Sequence, residues 1–398
     1  MADGRPACHR FFSKEGRRSS TLQDIWAPSL KKQAEIAEER FFYQCNIAFH
    51  ASRTGAYKRF VNAISAAAAA GAPITPAGSE ALRTTRLARQ VDMVHGMLEG
   101  HRESWAVYGC TIISDGWKDV RKRHLLNILV SCCTGTTFLR AIDMSGAGIR
   151  ITGELIFNHI RAAIEEIGPA NVVQVVTDNA SNCKLMGEMV EAAYPHIVWS
   201  PCAAHTIDLM MEDIGDLPWV SALVDKALQL INFIRRKSFA LGLFTAHCKW
   251  VLKKPTKTRV DAMLDIFDTR WIWFRRPIHC VAHILHPAWR SDAQRSDCVL
   301  LTGWNTYVER IHKDNGHVQN RLEEDLLEYR GGRGNFSRVI AKNAENQALQ
   351  VSWWEKFGGL NPTLQTLALR VLSQEVSSSG AERLWSIMGD IHTKDRNR

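Results

Sequence analysis

The chain has 398 residues, 45% of them hydrophobic, enough to bury a sizeable core in one large domain or a few smaller ones. Its 50 Lys and Arg outweigh 41 Asp and Glu to give a net charge of +9, which favours a polyanionic partner such as nucleic acid without specifying a site. Ten scattered cysteines with no CxxC speak against a secreted disulfide framework. The most apolar runs, such as Ala66 to Ala70, fall far short of the roughly 20 residues of a membrane span, so a soluble protein with no membrane partner is expected.

Residues 1–20 are polar and basic and read as a disordered leader. Cys8 and His9 within it lack the second pair that a zinc finger needs. Residues 21–104 carry helical periodicity, broken by a loop over 71–78 with two prolines. The pattern changes at Tyr108. Tyr108 to Ser114 predicts a buried strand, Leu125 to Cys133 a second and Thr136 to Met144 a third, with Thr134-Gly135 leaving room only for a tight antiparallel turn.

Thr152 to Ile167 then places apolar residues on one helical face and stops at Gly168-Pro169. The β-branched run Asn171 to Thr177 suits a central strand, and a helix from about Ala180 to Tyr194 follows. A short strand at Ile197 to Trp199 and a helix from Cys202 to Ile214 complete the order βββαβαβα. Hairpin-linked strands followed by αβ alternation imply a mixed sheet with helices on its faces, which is the RNase H-like order. Residues 217–354 read as mostly helical, with a flexible break at 331–334, and helices return at Asn361 to Leu372 and Gly380 to Met388.

Asp115 closes the first strand in SDGW and Asp178 closes the fourth in TDNA, so this order could bring both to one sheet edge. Two carboxylates held close repel unless a divalent cation neutralises them, and Mg²⁺ or Mn²⁺ suits oxygen ligands of this kind. Strand ends also favour Asp for turn and capping reasons alone, and Asp178-Asn179 reads equally as a cap for the next helix. Glu382 stands at capping-box spacing from Ser379, and nothing in that spacing singles it out for chemistry. Cys202-Ala203-Ala204-His205 and Cys280-Val281-Ala282-His283 could together form a Cys2His2 zinc centre, but zinc is not expected, because structural sites show tighter paired spacing. Thr269-Arg270-Trp271 sets an aromatic beside a cation, read either as a base-stacking element or as a core tryptophan.

GCTIISDGW at 109–117, NVVQVVTDNASNCKLMG at 171–187 and WSPCAAHTIDLMMEDIG at 199–215 resemble the transposase-like domain of plant hAT-type DNA transposases. VSSSGAERLWS at 376–386, with IHTKDRNR at 391–398, resembles the C-terminal dimerisation region of the same superfamily. The resemblance implies Asp115, Asp178 and Glu382 as a catalytic, metal-binding triad for Mg²⁺ or Mn²⁺, supported by Cys202, His205, Trp117, Asn179 and Arg383. It implies Arg259, Arg270 and Trp271 as possible DNA contacts. Two family landmarks, the TR pair Thr258-Arg259 and the RW pair Arg270-Trp271, stand only a few residues apart, so a stretch of the helical insertion is expected to be missing. The family's zinc finger is absent and its dimerisation helices would continue past Arg398, so the copy is expected to be shortened at three places.

The expectation is therefore an RNase H-like mixed sheet interrupted by a helical insertion. Residues 1–20 form the leader, 21–104 a helical N-terminal region, 105–216 the first part of the core, 217–354 the shortened insertion and 355–398 a dimerisation segment completing the core. In function the chain is expected to be a nuclear, transposase-derived protein that binds DNA and pairs as a homo- or hetero-oligomer with related chains, without competent transposition. An active DDE-type transposase and a Cys/His zinc-binding interaction module are the alternatives.

Overall fold

The computed structural model describes residues 29–72, 74–119, 121–146, 150–248, 261–346 and 348–381. The leader, Arg259, Glu382 and Arg383 lie outside the described residues. The chain divides into two compact units, one up to Gln90 and one from Val91. In the first, α1 (Leu30–Gln44) and α2 (Gly55–Ala69) meet where Phe42 stands edge-on to Tyr57, whose hydroxyl donates to Glu38 at 2.5 Å. No described helix is long and apolar enough to cross a membrane.

The second unit is built on one five-stranded sheet in the order β3-β2-β1-β4-β5. After α3 (Thr85–Tyr108) the chain enters β1 (Cys110–Lys118), β2 (His124–Cys132) and β3 (Gly135–Asp143), all antiparallel neighbours. It enters β1 through Gly109, where only glycine fits: φ is +66° and a Cβ would lie 2.4 Å from the Val173 side chain. Helix α4 (Gly153–Ile167), capped by Thr152, crosses to β4 (Val172–Thr177), which runs parallel to β1. Helix α5 (Ser181–Ala193) crosses to β5 (Val198–Pro201), parallel to β4. All six residues of β4 are buried, as expected of a β-branched central strand with both faces covered.

Several boundaries differ from the sequence reading: Tyr108 ends α3 and β1 starts at Cys110, and β5 runs one residue later at its start and two at its end. The β2–β3 turn is Cys133-Thr134, one residue earlier than expected, because Cys132 pairs with Gly135. Asp115 does not close β1. The ladder with β2 continues through Asp115↔Asn127 to Lys118↔His124, so the partner strand carries the Asp-Gly pair on as strand where local propensity alone would end it.

Alternation splits the sheet between two cores. Ile112, Ile128, Val130 and Val175 pack with Ile156, Ile160 and Ile164 of α4 and Met186 of α5. Helix α5 lies so close to Trp199 that a Cβ on Gly187 would sit 2.4 Å from the ring. On the opposite face Val173 and Val198 join a helical assembly reached through α6 (Ala203–Asp216), α7 (Pro218–Arg236), α8 (Ser238–His247) and α9 (Asp261–Phe274). That assembly comprises α10 (Pro277–Leu285), α11 (Cys298–Ile311), α12 (Gly316–Arg330), α13 (Gln350–Phe357) and α14 (Pro362–Leu372).

Its centre is the aromatic cluster Tyr329, Phe336, Trp353, Trp354 and Phe357. Large aromatics of this kind bury roughly 150–250 Å² each, on the order of 4–6 kcal/mol of transfer free energy before entropy is counted. Their polar atoms are satisfied inside the core: the Trp354 indole and the Tyr329 hydroxyl both donate to the Leu285 carbonyl, at 2.8 and 3.2 Å.

Two polar devices fasten this assembly to the sheet. Arg310 of α11 donates to the carbonyls of Pro195 and Ile197, each at 2.7 Å, and to the Glu191 carboxylate at 3.0 Å. His279 of α10 accepts the Arg276 backbone N–H on Nδ1 at 3.1 Å, which leaves the proton on Nε2 for Ser200 Oγ of β5 at 3.2 Å. Burial pushes the His279 pKa down to about 4, and the Arg276 charge adds to the shift.

The neutral imidazole makes His279 an acid-sensitive fastening. The unfolded chain binds the proton first, near its ordinary pKa of about 6.5, so stability is complete above that pH and is lost as pH falls from about 6.5 toward about 4. The loss over that window is about 3 kcal/mol. Urea midpoints at about pH 7 and about pH 5 should therefore differ more in the wild type than in His279→Gln, which cannot titrate. Equal pH dependence in the two would show that His279 does not carry the effect.

Candidate active site

The parallel ladder between β1 and β4 pairs Thr111 with Gln174, Ile112 with Val175 and Ile113 with Val176. Adjacent strands lie about 4.8 Å apart, and partners in a parallel ladder face the same side. Two residues past Ile113 stands Asp115, and two residues past Val176 stands Asp178, so the register brings the two aspartates to one edge. Asp115 is buried and Asp178 half-buried. Asp178 Oδ1 accepts the Ala180 N–H at 3.1 Å, a local turn, while the helix itself starts at Ser181 with no side-chain cap.

A buried thiol registers both charges. Cys183 of α5 has its pKa raised first by burial, then by the charge of Asp178 and a hydrogen bond to it, and also by the charge of Asp115. Asn127, cross-strand from Asp115, is fully buried, and both its amide nitrogen and its oxygen lack a partner among the described residues. Trp117 Nε1 and Asn179 Oδ1 are similarly unsatisfied, although Asn179 Nδ2 donates to Thr206 Oγ1 at 3.1 Å. Beside this edge opens a cleft of about 660 Å³, lined by Trp117, Lys118, His124, Asp178, Asn182 and Cys183 among others.

Cys202 sits at the same edge and serves as a cap. Its N–H donates to the carbonyl of Thr177, the last residue of β4, at 2.8 Å. Its sulfur accepts the N–H groups of His205, at 3.4 Å, and Ser378, at 3.2 Å. The second CxxH lies elsewhere: Cys280 packs against Gly303, and the His283 carbonyl accepts from Gln294 Nε2 at 2.8 Å. Among the described residues no three His, Cys, Asp or Glu side chains form a group that could hold a metal, so a third ligand to Asp115 and Asp178 would have to come from outside them.

The C-terminal segment returns to this face. Gln374 accepts from Thr111 Oγ1 at 2.8 Å and donates to the Tyr108 carbonyl at 3.0 Å. The Glu375 N–H donates to Thr111 Oγ1 at 3.3 Å, and its carbonyl accepts from Gln174 at 3.4 Å. The Val376 carbonyl accepts the Ala203 N–H at 2.9 Å. Ala381, the last described residue, is fully buried against Ile113 and Leu129. Ile113 lies on the same face of β1 as Asp115, and Glu382 is the next residue in the chain.

Of the other residues singled out in the sequence, Arg270 is engaged by Asp213 through two hydrogen bonds of 2.7 and 2.9 Å. Trp271 stacks on Phe267 and is 39% exposed. Sequence reading did not find Asn127 or Cys183. Alternation would have placed Asn127 on the Asp115 face, but only once the β1–β2 register was known.

Two family models match the chain. Residues 77–230 match the domain of unknown function DUF659, which spans β1 to β5 with Asp115, Asp178, Cys202 and His205. Residues 337–398 match the hAT family C-terminal dimerisation region, which includes the returning Gln374 to Ala381 segment. No curated protein matches the chain. Joining a DUF659 domain to the hAT dimerisation region through a C-terminal segment laid back on the sheet, the chain is a hAT-type transposase-like protein.

Proposed function

We propose that this is a transposase-derived nuclear protein built on an RNase H-like core, which binds DNA and pairs with related chains but does not carry out transposition. The single observation that carries the reading is the β1–β4 register, which sets Asp115 abreast of Asp178 on the face where Ala381 packs. The sheet order, with three antiparallel strands followed by two parallel ones, supports the RNase H-like assignment. Asp115 and Asp178, with Glu382 as the third carboxylate, would hold Mg²⁺ or Mn²⁺. The all-oxygen donor set and the unsatisfied Asn127 amide beside it fit a hard cation better than zinc.

A divalent ion in such a site supplies activation of water or a 3′-hydroxyl toward a phosphodiester. The chain's own part is to position. The ladder runs up to Ile113↔Val176, two residues short of each aspartate, and Ala381, buried against Ile113, is the residue before Glu382. Lys118, Arg121 and Lys122 on the β1–β2 hairpin offer charge to a DNA backbone near the edge.

Loss of activity is read from the insertion. Helix α7 buries Val220, Val224 and Ile231 yet leaves Leu223, Leu230 and Phe233 about 60% exposed, and Ile272 of α9 is 67% exposed. Helices apolar on two sides are built to be covered on both. The shortened segment thus leaves surface without the partners that would hold DNA over the aspartates.

Incubated with Mg²⁺ or Mn²⁺ and nicked or hairpin-prone DNA ends, the purified chain should neither cleave nor join them. Misplacement of reacting groups by about 1 Å can cost on the order of a hundredfold in rate. Cleavage by wild type that disappears in Asp178→Asn would establish an active enzyme and end the inactive reading.

DNA binding should be weak, largely indifferent to sequence, and steeply dependent on salt as counterions are released. Fluorescence anisotropy with unrelated duplexes at rising salt measures this directly. Tight binding of one sequence at physiological salt would contradict it.

A further inference from the structure

A second cavity, of about 350 Å³, lies at the start of β4, at the opposite end of that strand from Asp178. Val172 and Val173 of β4, Ile311 of α11, Val318 of α12 and Leu367 of α14 form its aliphatic wall, and His196, His312, Thr363 and Thr366 stand beside them. Two further polar groups, Arg370 and Tyr307, complete the lining. Arg370 of α14 is half-buried and donates from Nη2 to the Ala170 carbonyl at 2.6 Å, but among the described residues no carboxylate lies within ion-pair distance of it. Arg123, Arg270, Arg290 and Arg310 each have a carboxylate partner. Tyr307 of α11 is 3% exposed, and its hydroxyl has no hydrogen-bond partner among the described residues.

Both groups keep hydrogen-bonding capacity that opens on the cavity, and a guanidinium without an ion pair is a ready partner for an anion. The two groups line the same cavity, so one ligand can meet both. Five N–H donors belong to the guanidinium, and the Ala170 carbonyl uses one of the two terminal nitrogens, which leaves donors for a carboxylate. The volume falls within the range of small-molecule sites, which are largely apolar with a few fixed polar groups.

We propose that this cavity binds a small organic monocarboxylate with an apolar body, its carboxylate on Arg370 and the Tyr307 hydroxyl and its body against Val173, Ile311, Val318 and Leu367. One arginine balances one negative charge. Arg370 is the one Lys or Arg of the lining, so the further charges of a phosphate or a nucleotide would go unmatched. The site is separate from the aspartate edge and does not depend on metal or DNA. Since α14 belongs to the matched dimerisation region and β4 leads into Asp178, occupancy would brace the contact between those two parts of the unit.

The test is a titration of the full chain, by saturation-transfer NMR and thermal shift, with hexanoate and benzoate, their neutral amides hexanamide and benzamide, and inorganic phosphate. The carboxylates should bind saturably and the amides at least about tenfold more weakly, since hydrogen bonds to a charged group are worth roughly 1.5–3 kcal/mol. Arg370→Gln, which keeps a donor for the Ala170 carbonyl, should abolish carboxylate binding, and Tyr307→Phe, which keeps the ring, should weaken it several-fold. If Arg370→Gln does not fold, Tyr307→Phe and the acid–amide comparison decide the matter. Absence of saturable carboxylate binding, equal binding of acid and amide, unchanged binding in Tyr307→Phe, or phosphate binding tighter than either carboxylate would each overturn the proposal.

Discussion

The sheet edge depends on a long-range stitch: Gln374 and Glu375 hydrogen-bond to Thr111, more than 260 positions away in sequence. Without it the segment ending at Ala381 would lose its hydrogen-bonded anchor on β1. The stitch uses side chains of strand residues, Thr111 and Gln174, whose own backbone groups are engaged in the β1–β4 ladder. Both occupy positions on a buried sheet where alternation would favour apolar residues, and both are buried with their polar atoms bonded to the returning chain. That is why a polar pair is tolerated in the middle of an apolar sheet.

Closing so long a loop is cheaper than its length suggests. Loop-closure entropy grows with the logarithm of length, about 0.6 kcal/mol for each doubling. Material between β5 and the returning segment can therefore be gained or lost with little effect on whether the sheet closes. What such a change alters is the surface that the intervening helices present. The core of a shortened chain can remain intact while what stands over the aspartates does not.

The register matters as much as the stitch. With a side-chain period of two, a slip of one residue between β1 and β4 would turn Asp115 into the α4–α5 core and bring Ser114 to the face on which Ala381 packs. Two aliphatic sets prevent this, Ile112 and Val175 on one side and Ile113 with Leu129 and Ala381 on the other. The order of strands was legible in the sequence because β-branched runs, a tight turn and glycine stops are local signals. The extent of β1 was not, because Asp115-Gly116 reads locally as a breaker and only pairing with β2 overrides it. Asn127 was hidden for the same reason: within LLNILVS it looks like an interruption of an apolar run, and its meaning comes from its cross-strand neighbour. Glu382 was a residue that local reasoning took for a capping glutamate, and only family resemblance gave it a role in chemistry.

The C-terminal helices show how packing disregards the divisions that composition suggests. The expected boundary at residue 354 falls inside α13, between Trp353-Trp354 and Phe357, which all face one cluster with Tyr329 and Phe336. Each indole there donates to a backbone carbonyl of a different segment, Trp353 to Ala341 and Trp354 to Leu285. Those bonds make the cluster a junction, since moving either ring would leave an N–H and a carbonyl unsatisfied in an apolar core, at roughly 1–3 kcal/mol for each group. The same cluster sets where α14 lies, and α14 leads directly into Gln374 and the stitch to Thr111. The aromatic core of the helical assembly and the polar edge of the sheet are thus mechanically continuous, and a change that loosens Trp354 reaches Ala381 through one helix and the short segment that follows it.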